Sequence, residues 1–476
     1  MSDPRPALGV PGIYLASLGA RFALAPERLD VAGFVGVAPR GPVDVPVAVH
    51  DWADYRWRFG GLEGPGLLPH AVRAFFAQGG LHAYVLRVSP VPRLPDPAAV
   101  AAQARHQLMV GEADAITFRP TGRVRPVELL AGDEGSWGRR LRVRWDFETA
   151  QRFTCALGPA TEDGALIDLP VGVRVPRFSL LTLRAPGLPA RGEFAWAGEI
   201  RHRDDGAARL RPVAEVQADL WTAAPSEQVE VGVVTVTVTV TDEDPALTRQ
   251  ERFDGLGLRA GHPRFVADVL TSESLLVNPG DGWPQAILPP DPWLSPSQSW
   301  PAEGDLGLDR WADIEPASFF DADLDPRLLP VGGVEETSEL GPLYGMDRMA
   351  LEQQIGVLAV PDLFWSFTQQ QPTVDIPAPS HRGTFGSCDP DPSALTYTPP
   401  PAEYQLDRDT QLGETQLEQI LGRQRRLVAL AERQRRFVAL LDVPRNLTVP
   451  RIARWRSEFD SSYAAAYHPW LRAVEP

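Results

Sequence analysis

The chain has 476 residues, of which 43% are hydrophobic and 23% are charged, with a formal net charge of −16 and a sequence pI of about 5.0. This length predicts two to four domains, and this composition excludes a wholly disordered chain. The negative charge argues against nucleic acid as the main partner. The two cysteines, Cys155 and Cys388, are too distant and too few for a disulfide framework or a zinc ribbon.

The sequence also lacks the signals of membrane insertion and secretion. No apolar run approaches the roughly 18 residues that a membrane span requires. Residues 1–9 do not have a charged region followed by an apolar one, so no signal peptide is predicted. We therefore expect a reducing compartment and no membrane insertion.

The first ninety residues alternate between strand and helix patterns. After a short extended segment at 10–15, strands are predicted at 31–38, 45–49 and 82–88, and helices at 52–59 and 68–78. Asp51 can cap the first helix, and Gly60 can end it. Strands that alternate with helices in this way predict an α/β layer.

A proline-rich stretch after residue 89 separates the alternating strand and helix patterns from a region of mainly strand patterns. A helix is predicted at 98–108, and the region as far as 345 has mainly short strand patterns separated by glycine and proline. The longest pattern, 229–241 (VEVGVVTVTVTVT), alternates valine with mostly threonine. It predicts a strand with one buried valine face and one solvated threonine face.

Two proline-rich stretches, 278–304 and 372–401, are predicted to be surface loops. Because thirty structureless residues are unusual inside a compact domain, the second stretch is interpreted as a projecting insertion.

The last part of the chain returns to α/β patterns. Residues 357–360 and 437–441 are predicted to be buried strands, and Pro450 precedes a helix over 451–459. Residues 415–418 (TQLE) match a capping box and open another helix.

The predicted fold class is therefore α/β (α+β), with a split α/β domain that carries a large β-rich insertion domain. The predicted segments are an N-terminal arm (1–16), the first part of the α/β domain (17–90), the β-rich insertion (91–345), the return to the α/β domain (346–371), the proline-rich loop (372–413) and the last part (414–476).

No motif predicts an active site or a metal site. Asp321, Asp323 and Asp325 have the spacing that begins a calcium-binding loop, but Pro326 and Gly332 occupy the positions that need glycine and glutamate. The three aspartates are interpreted as a solvated acidic turn.

The glycine and histidine patterns also give no clear evidence of a cofactor site or an active site. Gly255, Gly257 and Gly261 have the wrong spacing for a dinucleotide loop and are interpreted as a turn. His82 and His468 each lie beside an aromatic residue and are interpreted as packed structural histidines. We therefore expect no cofactor, no metal and no catalytic residue.

One predicted helix carries a basic cluster, which comprises Arg423, Arg425, Arg426, Arg433, Arg435 and Arg436. Since no aromatic residues are interleaved with these arginines, a solvated face or an arginine–carboxylate protein interface is a better interpretation than nucleic-acid binding. Arg423, Arg426, Arg433 and Trp470 are the candidate interface residues.

Several segments along the chain have recognisable local patterns. In order, they are Pro11-Gly12-Ile13-Tyr14, 32–42 (AGFVGVAPRGP), 52–61 (WADYRWRFGG), 68–88, 132–141 (GDEGSWGRRL), 251–253 with 262–265 and 277–278, 357–363 (VLAVPDL), and 436–476. In this order the segments resemble the tail sheath family of contractile phage tails and injection particles, with Arg139 where asparagine is usual in that family.

The resemblance implies a non-enzymatic structural protein that assembles in hexameric rings around an inner tube. Its expected partners are other sheath subunits and the inner tube protein, and its expected location is the bacterial cytoplasm during assembly and then a phage tail or injection particle. Family members join neighbours through terminal arms that add strands to a sheet. The assembly arm is then expected to comprise Pro11, Gly12, Ile13, Tyr14 and Leu15; an edge strand on its own domain is the alternative.

In the family another domain follows the segment that matches 436–476, whereas this sequence ends there. The resemblance therefore implies a subunit without the C-terminal sheath domain, which a separate chain could supply. An alternative is a sheath-derived capping or regulatory module that binds sheath neighbours. A further alternative is an enzyme that uses the clustered carboxylates Asp242, Glu243 and Asp244.

Overall fold

The structure is a computed structural model that describes residues 30–90, 102–116, 118–156, 166–185, 192–202, 208–212, 228–290, 296–299, 306–321, 323–331, 343–365, 367–370, 403–406 and 413–470. The predicted assembly arm at residues 11–15 and the predicted projecting insertion at 372–401 lie outside these residues.

In this part of the chain the strands are, in order, β1 (Val31–Gly36), β2 (Val47–Val49), β3 (His82–Arg87), β4 (Arg105–Ala113), β5 (Pro120–Ala131), β6 (Leu141–Ala156), β7 (Ile167–Leu169), β8 (Leu180–Arg184), β9 (Glu193–His202), β10 (Ala208–Pro212), β11 (Gln228–Asp242), β12 (Arg249–Leu256), β13 (Val277–Pro279), β14 (Ile287–Leu288), β15 (Ser297–Ser299), β16 (Val357–Ala359), β17 (Phe367–Gln370), β18 (Glu403–Leu406), β19 (Val438–Asp442) and β20 (Ala464–Tyr467). The α-helices are α1 (Trp52–Phe59), α2 (Leu68–Ala77), α3 (Val266–Glu273), α4 (Gly345–Met349), α5 (Glu414–Gln434) and α6 (Val449–Ser457).

A six-stranded sheet joins the two ends of the described chain. Its order is β2-β3-β1-β16-β19-β20, and every neighbouring pair is parallel except β2 with β3. Strand β1 lies between β3 and β16, with Ala32 opposite both Ala83 and Val357. The central strand of the sheet therefore pairs with a segment more than 300 residues later in the sequence.

Helices cover both faces of this sheet, which explains why all six residues of β1 are buried. On one face Phe34 packs with Tyr55 and Phe59 of α1 and with residues of α2. On the other face Val35 belongs to a larger core that includes residues of α4, α5 and α6. The result is a three-layer α/β/α arrangement.

The helix ends follow local capping chemistry. The Asp51 carboxylate accepts a hydrogen bond from the Asp54 backbone N–H at 2.7 Å, and Gly60 ends α1 with φ of +90°, as predicted. The predicted capping box at 415–418 is wrong. Helix α5 begins at Glu414, so Thr415 lies inside it, and the Gln416 side chain accepts the Gly413 N–H at 3.0 Å.

The strands between β3 and β16 form two antiparallel sheets. One has the order β15-β6-β11-β8-β9-β10-β7, with β12 also paired to β11, and the other has the order β13-β5-β4-β14. Their buried residues form one large core and one smaller core. The predicted fold class, α/β with a β-rich region, is confirmed.

The helix predicted at 98–108 is wrong for the residues that the structure describes. Residues from Arg105 onward form β4, which pairs with β5 in antiparallel register. Leu108 and Val110 are buried while Gln107 and Met109 are exposed, so the side chains follow the period of two of a half-buried strand.

The solvated threonine face predicted for β11 is wrong for Thr235 and Thr237, whereas Thr239 and Thr241 are half-buried. Thr235 and Thr237 are buried, because longer side chains on the neighbouring strands cover them. The Thr237 hydroxyl lies 3.2 Å from carboxylate oxygens of both Glu148 on β6 and Asp254 on β12. The water-exposed polar layer therefore consists of these charged side chains, and the threonines lie beneath it.

The stretch at 278–304 is not only a surface loop. Its first residues belong to β13, which pairs with β5, and Ile287 and Leu288 form β14, which pairs with β4. Ile287 and Leu288 are fully buried in the larger core. Two apolar residues between prolines gave too short a pattern to predict a strand.

His106 on β4 should make the stability of the fold depend on pH. It is fully buried, and burial lowers its pKa to about 4, although backbone groups of Gly138 and Ser299 act in the opposite direction. An imidazole in the unfolded chain has a pKa of about 6.5. Between pH 6.5 and pH 4 the unfolded chain therefore binds a proton that the folded chain does not, and stability falls as the pH falls.

We expect His106 to account for a loss of about 2–3 kcal/mol in the free energy of unfolding between pH 7 and pH 4. Urea denaturation of the wild type and His106→Gln across this range measures the loss, because the variant should lose less stability on acidification. The exposed His468→Gln is the control and should keep the wild-type pH dependence. Parallel pH profiles for His106→Gln and the wild type would contradict the prediction.

Candidate functional site at the open edge of the six-stranded sheet

Strand β20 forms one edge of the six-stranded sheet. It pairs in parallel with β19, and among the described residues no strand pairs with its other side. The Ala439 N–H donates to the Tyr463 carbonyl at 2.8 Å. Since backbone groups alternate in direction along a strand, those of Ala464 and Ala466 point away from β19. With no partner strand on that side among the described residues, this edge offers donors and acceptors to an added strand.

Small side chains leave this edge accessible. Three of the four residues of β20 are alanines, and Ala466 and Tyr467 are exposed, Tyr467 by 76%. A strand that lies beside β20 would meet few bulky groups except the Tyr467 ring. The geometry suits β-augmentation, in which backbone hydrogen bonds supply much of the contact.

Trp470 lies three residues after the end of this edge strand. Its ring Nε1–H donates to the Val443 carbonyl at 2.6 Å, and the Arg445 guanidinium lies 4.2 Å from the ring centroid. The indole is 39% exposed, so one part of it is held against the domain and the other part faces solvent. Trp470 is the one predicted interface residue that lies next to the open edge.

A titratable carboxyl group lies at the end of the neighbouring strand. Asp442 on β19 is opposite Tyr467 of β20, and burial raises its pKa to about 6, partly offset by Arg445. The charge beside the edge can therefore change close to neutral pH.

The arginines of α5 differ in exposure: Arg423 is buried and Arg426 half-buried, whereas Arg425 and Arg433 are exposed. Arg423 is buried and donates to the Leu363 carbonyl at 2.8 Å, and burial lowers its pKa to about 10. Arg426 donates to the Asp347 carboxylate at 2.9 Å and also to two backbone carbonyls. Arg433 donates to the Leu329 carbonyl at 2.8 Å.

The solvated-face prediction is therefore wrong for Arg423. Arg426 is half-buried and engaged within its own chain, and Arg433 is exposed but contacts one backbone carbonyl. These arginines hold segments 321–329 and 363 against α5. Arg425, Arg433 and Arg435 are the exposed members of the cluster, and Arg425 bridges Glu418 and Glu458 at 2.8 Å each.

Other predicted groups have structural surroundings. The Asp321 carboxylate accepts the Asp323 N–H, and Asp325 accepts the Arg327 N–H, so both act in local turns. No group of three or more potential metal ligands occurs within the described ranges. Gly261 adopts positive φ at a turn, as predicted, whereas the turn prediction is wrong for Gly255, which adopts positive φ within β12.

The two histidines differ from each other. The prediction that both are packed is wrong for His468, which is exposed. His82 is half-buried, and its ring lies against that of His50.

Two of the clustered carboxylates, Asp242 and Asp244, belong to a buried ion-pair network that the sequence did not predict, while Glu243 is exposed and pairs with Arg142. Asp242 is fully buried, and Arg40 and Arg249 donate to it at 2.8 Å and 2.9 Å. Arg140 lies 3.1 Å from Asp244 and 3.4 Å from Asp242. This network explains why acidic residues cluster at the end of β11, the observation that motivated the enzyme alternative.

The same network joins the α/β layers to the β-rich region. Arg40 follows β1 and also donates to the Arg56 carbonyl of α1, while Arg249 of β12 donates to the Trp57 carbonyl. Burial lowers the pKa of Arg40 to about 10, so the guanidinium keeps its charge at neutral pH. A buried arginine after a strand end gives no sequence signal that distinguishes it from a surface arginine.

No family model matches the chain, and no curated protein is similar enough to the chain to count as a match. Within the described residues, no helix is long and apolar enough to cross a membrane.

Proposed function

We propose that this chain is a structural, sheath-like subunit of a contractile tail or injection particle. It assembles in hexameric rings around an inner tube, with other sheath subunits and the tube protein as partners. Assembly takes place in the bacterial cytoplasm. The assembly arm of one subunit, residues 11–15, adds a strand to the sheet of its neighbour.

The observation that carries this proposal is the open edge of β20. An arm needs an acceptor strand with free backbone groups, and Ala464 and Ala466 direct theirs away from β19. The three-layer α/β core and the β-rich region agree with the architecture that the resemblance implies. The order of the matching segments along the chain gives further support.

The test is whether the edge of β20 is needed for assembly in the cells that produce the protein. Ala466→Pro removes one outward N–H from an edge strand, where proline is compatible with folding. Ala466→Val keeps that N–H and is the matched control. Particles are isolated by sedimentation, viewed by electron microscopy and probed for the chain.

We expect the wild type and Ala466→Val to be present in tubular particles together with tube protein. Ala466→Pro should fold with an unchanged thermal midpoint and be absent from the particles. A wild-type chain that is recovered only as a free monomer would contradict the proposed function. Normal incorporation of Ala466→Pro would contradict the role of β20 alone.

A further inference from the structure

Two histidines face each other across the antiparallel pair at the opposite edge of the six-stranded sheet. The register places Val49 opposite Ala83, so the next position places His50 opposite His82. Directly opposed residues have Cβ atoms about 4.5–5.5 Å apart. The two Nδ1 atoms are 3.0 Å apart, with ring planes at 89° to each other.

At this distance the two nitrogens share one hydrogen, since one Nδ1 must donate and the other accept. Moving that proton to Nε2 of the same ring leaves a lone pair on each Nδ1, and the two Nδ1 atoms are close enough to bind one ion. Metal–imidazole bonds are about 2.0–2.1 Å long, so two of them at a right angle separate the nitrogens by about 2.9 Å. A tetrahedral angle would separate them by about 3.3 Å. The observed separation of 3.0 Å is closer to the right angle.

We propose that His50 and His82 form a binding site for a divalent transition-metal ion of the Cu²⁺ or Ni²⁺ type. These ions favour nitrogen ligands at right angles in tetragonal or octahedral geometry. The ion replaces the N–H···N hydrogen bond by two N–metal bonds, and small rotations of the rings direct both lone pairs at it.

The surroundings leave the remaining coordination positions to water. His50 is exposed and His82 is half-buried, so the ion can enter from solvent. The nearby Asp54 carboxylate is already engaged, because it accepts from the Arg58 side chain at 2.8 Å and from the His50 N–H at 3.3 Å. The Asp54 carboxylate therefore holds the backbone N–H of His50 and does not bind the ion. The two imidazoles are the protein ligands.

The test is isothermal titration calorimetry of the full chain, prepared without a histidine tag, with NiCl₂ and CuCl₂ at pH 7.5. The variants are His50→Gln and His82→Gln, and the exposed His468→Gln is the control. Thermal midpoints without metal show whether each variant is folded. Electron paramagnetic resonance of the Cu²⁺ complex reports directly on coordinated nitrogens.

We expect one equivalent of metal to bind, with Cu²⁺ binding at least tenfold tighter than Ni²⁺. Either histidine variant should lose this equivalent, while His468→Gln should keep it. The resonance spectrum should show two equivalent nitrogens. Unchanged binding in both variants, or no binding by the wild type, would overturn the proposal.

Discussion

Replacing Asp242 with alanine is expected to lower the free energy of unfolding by about 3–5 kcal/mol. Asp242 has no exposed surface, and its carboxylate receives hydrogen bonds from Arg40 and Arg249, which are 1% and 3% exposed. Without it, two buried guanidinium groups lose their closest counter-charge, and Asp244 is the acidic group that remains within 4 Å of Arg40 among the described residues. A buried charge without a partner costs far more than the pair itself contributes.

Guanidinium chloride would partly screen such charges, so urea denaturation followed by tryptophan fluorescence is the suitable measurement. Asp168→Ala is the matched control, because Asp168 pairs with Arg209 at 2.7 Å while both side chains are about 40% exposed. Asp168→Ala should lower the free energy of unfolding by no more than about 1 kcal/mol. Equal losses in the two variants would show that the buried network does not stabilise the junction.

Asp362→Ala is also expected to lower the free energy of unfolding by about 3–5 kcal/mol, for a different reason. The buried Asp362 carboxylate accepts three backbone N–H groups: those of Val37 at 2.8 Å, Leu67 at 2.6 Å and Leu68 at 3.2 Å. Alanine would leave these donors without their acceptor, and each unsatisfied buried donor costs about 1–3 kcal/mol. The carboxylate also lies so close to β1 that a Cβ at Gly36 would be 2.5 Å from it.

The control for this variant is Asp325→Ala, which removes a carboxylate that accepts one backbone N–H, that of Arg327, at an exposed turn. Thermal unfolding by circular dichroism compares the two. Asp362→Ala should lower the midpoint by several degrees more than Asp325→Ala. A midpoint for Asp362→Ala within a degree of that for Asp325→Ala would contradict the role given to Asp362.

Much of the α/β region could be predicted because its signals are local. The apolar run of β1, the Asp51 cap and Gly60 each depend on only a few neighbouring residues. Strand β4 could not be predicted in the same way, because its alternation of buried and exposed residues follows directly on an alanine-rich stretch that favours helix. The buried threonines of β11 depend on which strands pair beside them, which no local pattern records.

The candidate site could be predicted only in part. Trp470 stands out as a tryptophan beside a proline, and the structure places it next to the edge of β20. The roles of Arg423 and Arg433 could not be predicted, since their partners are the backbone carbonyls of Leu363 and Leu329. Every residue has a backbone carbonyl, so the sequence does not show which carbonyl a buried arginine will contact. The His50–His82 pair required the strand register.

The place of β1 between β3 and β16 also constrains the order in which the chain folds during synthesis. Ribosomes add about 5–20 residues per second, so residues 88–356 take roughly 15–50 s to be made. During that time one side of β1 lacks its neighbour β16, while the β-rich sheets already have all their strands. An unpaired central strand can aggregate. Slow translation or chaperone shortage should therefore affect the yield of this protein more than its final stability.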